Sequence, residues 1–487
     1  MPAKQENRNH IIYTHAPNSK NHIYSISIPR GRVIRSRAKQ YSMTAFRVGL
    51  YIMQVGVARV PETIHIYSIR GLLDRAYISY RILHNHTTIS YIILSLIEKN
   101  QPHVILLAPY PAMWSPQQFQ PWDSATSQAS IPQTLSKMST PDTLILPPAA
   151  DMHVHLRDGP MMDTVVSTIR HGGASIVYVM PNLLPPITTV AAALAYHASL
   201  SSRSPSTTFL MSLYLTPSIT PAVIAQAAAT GVIHGVKSYP RGLTTNSEAG
   251  VVSYEDYYPV FAAMEEHDLV LNLHGESPPS ATTTILNAEE TFLPTLVDLH
   301  NRFPRLRIVL EHCTTAVAIE TVKKLGPTVA ATITAHHMYL TIDDWSDSPH
   351  CYCKPVAKLP SDRAALIEAA TSGDPRFFLG TDSAPHPKNA KQGAKTAAGV
   401  FTQPYAVQFV TEIFANEGKL EKLKGFVCDY GRRFYKTNEK GLEKDTGEMI
   451  VLKKGAGRVQ REIVNGDIIV VPFRAGEETW GLEWVRG

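Results

Sequence analysis

The stretch Asp151-Met152-His153-Val154-His155-Leu156-Arg157-Asp158-Gly159, preceded by the apolar run Thr143-Leu144-Ile145-Leu146, decides how this chain is read. In an extended strand, residues i and i+2 point to the same face, so both imidazoles can reach one metal ion from one strand end. Histidine is the commonest metal ligand, and its neutral ring suits zinc. With 20 histidines in 487 residues, a His-x-His pair also arises by chance, so its weight depends on what occupies comparable places downstream.

Working outward, short β-rich runs recur at regular intervals after residue 138. They are Thr143–Leu146, Ser175–Met180, Thr207–Leu215, Val232–Lys237, Leu269–His274, Leu306–His312, Val329–Thr334 and Arg376–Asp382. Helix-like stretches lie between most of them: Ala191–Leu200, Pro221–Thr230, Tyr257–His267, Thr291–Phe303, Thr315–Leu325 and Ser361–Ser372. Strand and helix alternating in this way predict an α/β fold of the (β/α)8 barrel type, whose sites sit at the carboxyl ends of the strands. Metal-capable side chains stand at those ends. Lys237 closes the fourth run, His274 the fifth, His312 the sixth and Asp382 the eighth, while the first leads into His153 and His155.

Four histidines and an aspartate can hold two divalent ions, which usually share a bridging anion. An ammonium at Lys237 would repel metal, but a neutral amine that takes up carbon dioxide becomes a carbamate able to bridge. Such a pair acidifies a bound water and polarises a carbonyl, so hydrolysis of an amide or ester is the natural reaction class, with Asp382 moving the proton.

Before residue 138 the chain has a different character. Residues 1–60 carry Lys4, Arg8, Lys20, Arg30, Arg32, Arg35, Arg37, Lys39, Arg47 and Arg59 against Glu6 alone, and residues 101–142 are rich in Pro, Gln and Ser. The expectation is an N-terminal extension over 1–137, mostly disordered or weakly structured, and a (β/α)8 barrel over 138–487 that includes a β-rich C-terminal segment. The extension could be an acid-poor transit segment, or an upstream region wrongly joined to a coding sequence that starts at Met138.

The net charge of +5 comes from this arm, so it implies no nucleic-acid partner. The longest apolar runs, such as Tyr91–Ile97, are far short of the ~20 residues that span a bilayer. The four cysteines, Cys313, Cys351, Cys353 and Cys428, form no zinc-ribbon spacing and are too few for a disulfide scaffold. A reducing, cytoplasmic compartment is expected.

The segments DMHVHLRDG (151–159), YVMPN (178–182), KSYPRGLTTN (237–246), His274-Gly275-Glu276, EHCTT (311–315) and GTDSAPH (380–386) make the chain from about 139 onward similar to a dihydroorotase of the amidohydrolase superfamily, of the shorter, stand-alone bacterial and fungal type. The resemblance implies that His153, His155 and Asp382 bind one zinc and that His274 and His312 bind the other, with carboxylated Lys237 between them. It further implies that Arg157, Asn182 and His386 hold a substrate carboxylate. Thr244 and Thr245 would lie at the tip of a loop closing over substrate, and Ala398 and Lys354 would touch its ring. Bacterial members often have leucine where Lys354 stands. The implied reaction interconverts (S)-dihydroorotate plus water and N-carbamoyl-L-aspartate, the third step of de novo pyrimidine synthesis; the resemblance also implies a homodimer, with the small-molecule substrate as its ligand.

Two other functions compete: a different cyclic-amide hydrolase, such as a hydantoinase or allantoinase, and a non-enzymatic relative serving as a scaffold. The arginine, asparagine and threonine set speaks against the first, and the complete ligand set against the second. His336-His337 reads as structural, because neighbours on a strand face opposite ways. Cys351-Tyr352-Cys353 reads as a loop without a partner pair, and Lys419–Lys424 as a solvated helix face.

Overall fold

The structure, a computed structural model, describes residues 142–486 and, N-terminal to them, the backbone of seven strands between Ile23 and Leu107. The chain divides into two units at Ile131/Pro132. Those N-terminal strands form antiparallel pairs among themselves. Otherwise the expectation for residues 1–137 lies outside the described residues.

Residues 149–379 form one eight-stranded sheet whose strands run in sequence order and pair in parallel. The strands are β1 (Ala149–Val154), β2 (Ala174–Val179), β3 (Thr208–Tyr214), β4 (Ile233–Ser238), β5 (Val270–Leu273), β6 (Ile308–Leu310), β7 (Val329–Ile333) and β8 (Phe377–Leu379). Nearly every strand residue is buried, as expected of parallel strands covered on both faces. Met152, Tyr178, Leu210, Val270, Val309, Ala330 and Phe378 fill the barrel, and Tyr435, from the helix Tyr430–Tyr435, joins their cluster. The outer core packs the strands against helices such as Val190–Arg203 and Ala316–Lys324, which Thr189 and Thr315 cap by accepting a backbone N–H.

One strand assignment is corrected. Thr143–Leu146 is not a barrel strand; it pairs antiparallel with Glu448–Arg458 in a separate three-stranded sheet completed by Glu478–Arg486. Pro147-Pro148, which donate no backbone hydrogen bond, separate it from β1. The true first strand, AADMHV, escaped notice because it mixes polar and apolar residues while being buried throughout.

The ring closes through the segment after β8. Asp382 N–H donates to His153 O (2.9 Å) and His155 N–H to Ser383 O (3.0 Å). The buried Asp151 carboxylate accepts from the Thr381 backbone N–H (2.8 Å) and hydroxyl (2.7 Å). These bonds fix residues 381–383 against β1, and so set Asp382 beside both histidines.

Gly235 lies two residues before Lys237 in β4 because no larger residue fits. A Cβ there would lie 2.3 Å from Val270 O and 2.6 Å from Tyr178 Oη. Gly235→Ala is therefore expected to destabilise the protein by about 1–3 kcal/mol, read as a lower urea midpoint at unchanged slope.

Candidate active site

A cavity of about 350 Å³ opens at the carboxyl ends of the strands, as the fold requires. Its lining includes His153, His155, Arg157, Asn182, Thr244, Thr245, His274, His312, Lys354, Asp382 and Ala398. Lys237 and His386 lie outside this lining; His386 contacts Arg157 and Ala398, which belong to it, and Lys237 Nζ lies 5.3 Å from the ring centroid of Tyr239, which also belongs to it.

The metal-capable end is built on β1 and the closure. A register irregularity, with Val177 opposite Asp151 and Val179 opposite Val154, sets an extra residue into β1. Met152 thus faces the barrel interior while the next residue, His153, lines the mouth. His153 Nδ1 lies 2.7 Å from Glu311 Oε2, and its Nε2 lies 3.3 Å from Asp382 Oδ1. His155 Nδ1 lies 2.8 Å from Asn182 Oδ1, and its Nε2 3.0 Å from the same Asp382 oxygen. Each ring is thus anchored through Nδ1 and presents Nε2, an arrangement that second-sphere partners impose on metal-ligating histidines. His274 is anchored the other way, with Nε2 2.9 Å from Glu276 Oε2, and its ring centroid lies 4.6 Å from that of His312.

Burial dominates the electrostatics. It pushes His155 down to about 4 and holds His274 and His312 below the usual histidine value, so all three are neutral imidazoles at pH 7. Burial works hardest against charge on His153, but the Glu311 charge and the hydrogen bonds to Asp382 and Glu311 together outweigh it, and the ring's pKa is raised. Burial raises the Asp382 carboxyl, yet hydrogen bonds from His153 and His155 hold it well below the usual carboxylate range. Burial lowers the Lys237 amine to about 8, although Glu311 and Asp382 oppose the shift.

Lys237 Nζ is buried and has no hydrogen-bond partner among the described residues; the same is true of His312 Nδ1. An orphaned amine that feels the Glu311 and Asp382 charges, in a site with three neutral imidazoles, fits a site that binds divalent cations. The group His153, His155 and Asp382 has donor atoms within 4.8 Å of one another.

The opposite wall is cationic. Arg157 has a positive φ of 61°. Its Nε donates to Pro385 O (2.9 Å), and Nη2 lies 3.2 Å from His386 Nε2. His386 Nε2 is also 3.0 Å from Ala398 O, and burial beside Arg157 lowers this histidine to about 3. Asn182 Nδ2 donates to Thr245 O (3.1 Å), and Asn246 Nδ2 donates to Asn182 O (2.8 Å), which tethers the threonine loop over the cavity. Lys354 Nζ donates to Leu243 O (2.7 Å) at the base of that loop.

Sequence reasoning missed several residues here. Glu311 accepts from Asn272 Nδ2 (2.6 Å) and Thr332 Oγ1 (2.6 Å), and Asn272 in turn donates to Tyr435 Oη (2.6 Å), so a buried polar chain runs to His153. The only sequence signal was its place beside His312. Lys391 Nζ donates to the carbonyls of Tyr352 (2.9 Å), Ala397 (2.9 Å) and Gly399 (2.7 Å), clamping the loops that carry Lys354 and Ala398. Lys391→Met leaves those carbonyls without their donor and is expected to raise KM about tenfold with a smaller change in kcat, measured by steady-state kinetics.

Two readings change. His336 and His337 lie not on a strand but in a 3-10 turn after β7, buried, and neither lines the cavity. Cys353 is not without partners, since its Sγ lies 3.5 Å from His337 Nε2. All four cysteines are free.

Imidazoles, a carboxylate and a buried amine at the mouth of a parallel barrel define a metal-dependent hydrolase of the barrel class. Residues 144–413 match the model of the amidohydrolase family. A probable dihydroorotase of Schizosaccharomyces pombe is 55% identical over 70% of this chain and 99% of its own length. The dihydroorotase of Saccharomyces cerevisiae is 47% identical over 69% of this chain and 96% of its own. The yeast crystal structure, solved with 5-fluoroorotic acid, superposes with a TM-score of 0.68 at 46% identity, covering 71% of this chain and all of that one. A dihydroorotase structure from Campylobacter jejuni gives 0.63 at 32% identity, covering 70% and 97%. The chain belongs to the amidohydrolase family and, within it, to the dihydroorotases.

Proposed function

We propose that the protein catalyses the reversible, zinc-dependent ring opening of (S)-dihydroorotate to N-carbamoyl-L-aspartate in de novo pyrimidine synthesis. One observation carries this reading: Arg157, backed by His386, and Asn182 form a group suited to a carboxylate, and both line the same small cavity as the histidine–aspartate cluster. A cyclic amide bearing a ring carboxylate has one feature for each wall. A hydantoinase shares the fold at 17% identity with a TM-score of 0.56, but a hydantoin ring need carry no carboxylate for Arg157 to grip.

In this reading His153, His155 and Asp382 would hold one zinc and His274 and His312 the other, and Lys237, as a carbamate, would serve both. Bound there, the pair supplies Lewis acidity and an acidified water. The chain's own residues do the rest. Asp382 Oδ1 faces both histidines, leaving Oδ2 to take a proton from the attacking water and deliver it to the ring nitrogen. The fork of Arg157 grips the ring carboxylate, and Asn182 and His386 orient it. Thr244 and Thr245 close over the ring and exclude water. Ala398 and Lys354 border the ring through their backbone groups.

5-Fluoroorotic acid, the ligand of the yeast crystal structure, is expected to compete with dihydroorotate here, raising apparent KM without changing kcat. Inhibition that lowers kcat alone would place its binding elsewhere and count against this pocket assignment.

The free cysteines support a reducing, cytoplasmic compartment, and the family resemblance supports a homodimer, to be checked by analytical ultracentrifugation. Residues 1–137 are read as an extension without a part in the chemistry, because about 70% of this chain accounts for 99% of the S. pombe relative. The native mass, set against a start at Met138, tests that reading.

A further inference from the structure

We propose that His336, His337 and Cys353, completed by the carbonyl of Pro355, form a second metal site for a thiophilic cation of the zinc kind. It goes beyond the dihydroorotase reading and does not depend on it, since none of these residues lines the catalytic cavity.

The first observation is an unexplained one. His336 is fully buried, yet neither Nδ1 nor Nε2 has a partner among the described residues; His337 Nδ1 is equally unpartnered. Buried polar atoms are nearly always satisfied by protein, water or an ion, so His336, with both ring nitrogens orphaned, calls for an occupant on at least one of them. Both imidazoles are kept neutral by burial, the form in which histidine binds metal.

The second observation is geometric. Donor atoms of His336, His337 and Cys353 lie within 4.8 Å of one another. Cys353 Sγ is 3.5 Å from His337 Nε2 and 3.1 Å from Pro355 O, and that nitrogen is 3.1 Å from the same carbonyl. A tetrahedral ion with bonds of about 2.0–2.3 Å keeps its ligands roughly 3.3–3.8 Å apart, close to this spacing. Two imidazoles and a thiolate are the borderline-soft set that zinc and copper(I) favour over magnesium or calcium.

Binding displaces one proton. The Cys353 thiol, held protonated by burial, gives up its hydrogen to solvent as the metal–sulfur bond forms, and no electron is transferred. The ion would tie the turn after β7 to the loop that carries Lys354 to the catalytic cavity.

Cobalt(II) tests this on the full-length protein. The candidate catalytic donors are nitrogen and oxygen only, so a thiolate-to-cobalt charge-transfer absorption in the near ultraviolet reports this site alone. The metal-stripped protein should develop it on cobalt titration. Cys353→Ser and His336→Gln should abolish it, while Cys313→Ser and Cys351→Ser retain it. No such absorption at cobalt saturation, or its survival in Cys353→Ser, overturns the proposal and assigns the cluster to buried water. Should the variants fail to fold, zinc X-ray absorption on the unmutated protein decides. A sulfur scatterer at about 2.3 Å supports the site, and nitrogen and oxygen alone refute it. Neither readout involves dihydroorotate turnover, so the two readings can fail separately.

Discussion

Lys237→Ala is expected to lower kcat by more than about 10³-fold while leaving the fold intact, measured by steady-state kinetics and circular dichroism on the zinc-loaded protein. Lys237 Nζ is buried at the end of β4 with no hydrogen-bond partner among the described residues, which makes no sense for an ammonium that serves only the fold. Its burial is explained if the side chain works as a carbamate between two ions. Alanine would remove such a bridge, and a short carboxylic acid that fits the vacated space should then restore part of the turnover. The metal-free protein offers an independent check. There burial lowers the amine from 10.5 to about 8, so between those values the unfolded chain holds a proton that the folded chain does not. Stability from this group therefore rises with pH across about 8 to 10.5, and below that window the cost of burying the charge is paid in full. Lys237→Ala lacks this dependence. Its stability relative to the metal-free parent should be most favourable below about pH 8 and decline above it. A difference flat with pH would mean that the amine is not buried as described.

Arg157→Met is expected to reduce kcat/KM for dihydroorotate by about 10²–10⁴-fold, chiefly through KM. Two charge-assisted hydrogen bonds to a carboxylate are lost, each contributing about 1.5–3 kcal/mol. Burial lowers the guanidinium only to about 10, so it stays charged throughout the working range. Its backbone, left-handed at φ 61°, and its bond to Pro385 O aim the fork toward His386. Arg157→Lys should rescue only part of the loss, because an ammonium supplies charge without the planar fork. The diagnostic result is a loss confined to carboxylate-bearing rings. An equal loss with a neutral cyclic amide would show that Arg157 supports the site without reading the substrate.

The barrel was legible because parallel strands buried on both faces leave apolar runs, and because amphipathic stretches separate them. The meeting of His274, His312 and Asp382 in one cavity was legible because the fold collects strand ends at one mouth, across long stretches of sequence. What stayed hidden depends on contacts that no local pattern records. β1 carries Asp151 and His153 in its interior and lacks an apolar run, whereas Thr143–Leu146 has one and pairs outside the barrel. Glu311 and Lys391 act through partners far along the chain, on His153 and on three loop carbonyls. The meeting of His337 with Cys353 depends on a 3-10 turn where a strand was expected.

The most direct test of the central claim is hydrolysis of (S)-dihydroorotate by the purified, zinc-loaded protein, run beside hydantoin and allantoin. Opening of dihydroorotate to N-carbamoyl-L-aspartate, with the neutral rings left intact, is the predicted result. A protein that holds its metals, leaves dihydroorotate untouched and opens hydantoin or allantoin would contradict the substrate assignment while sparing the fold.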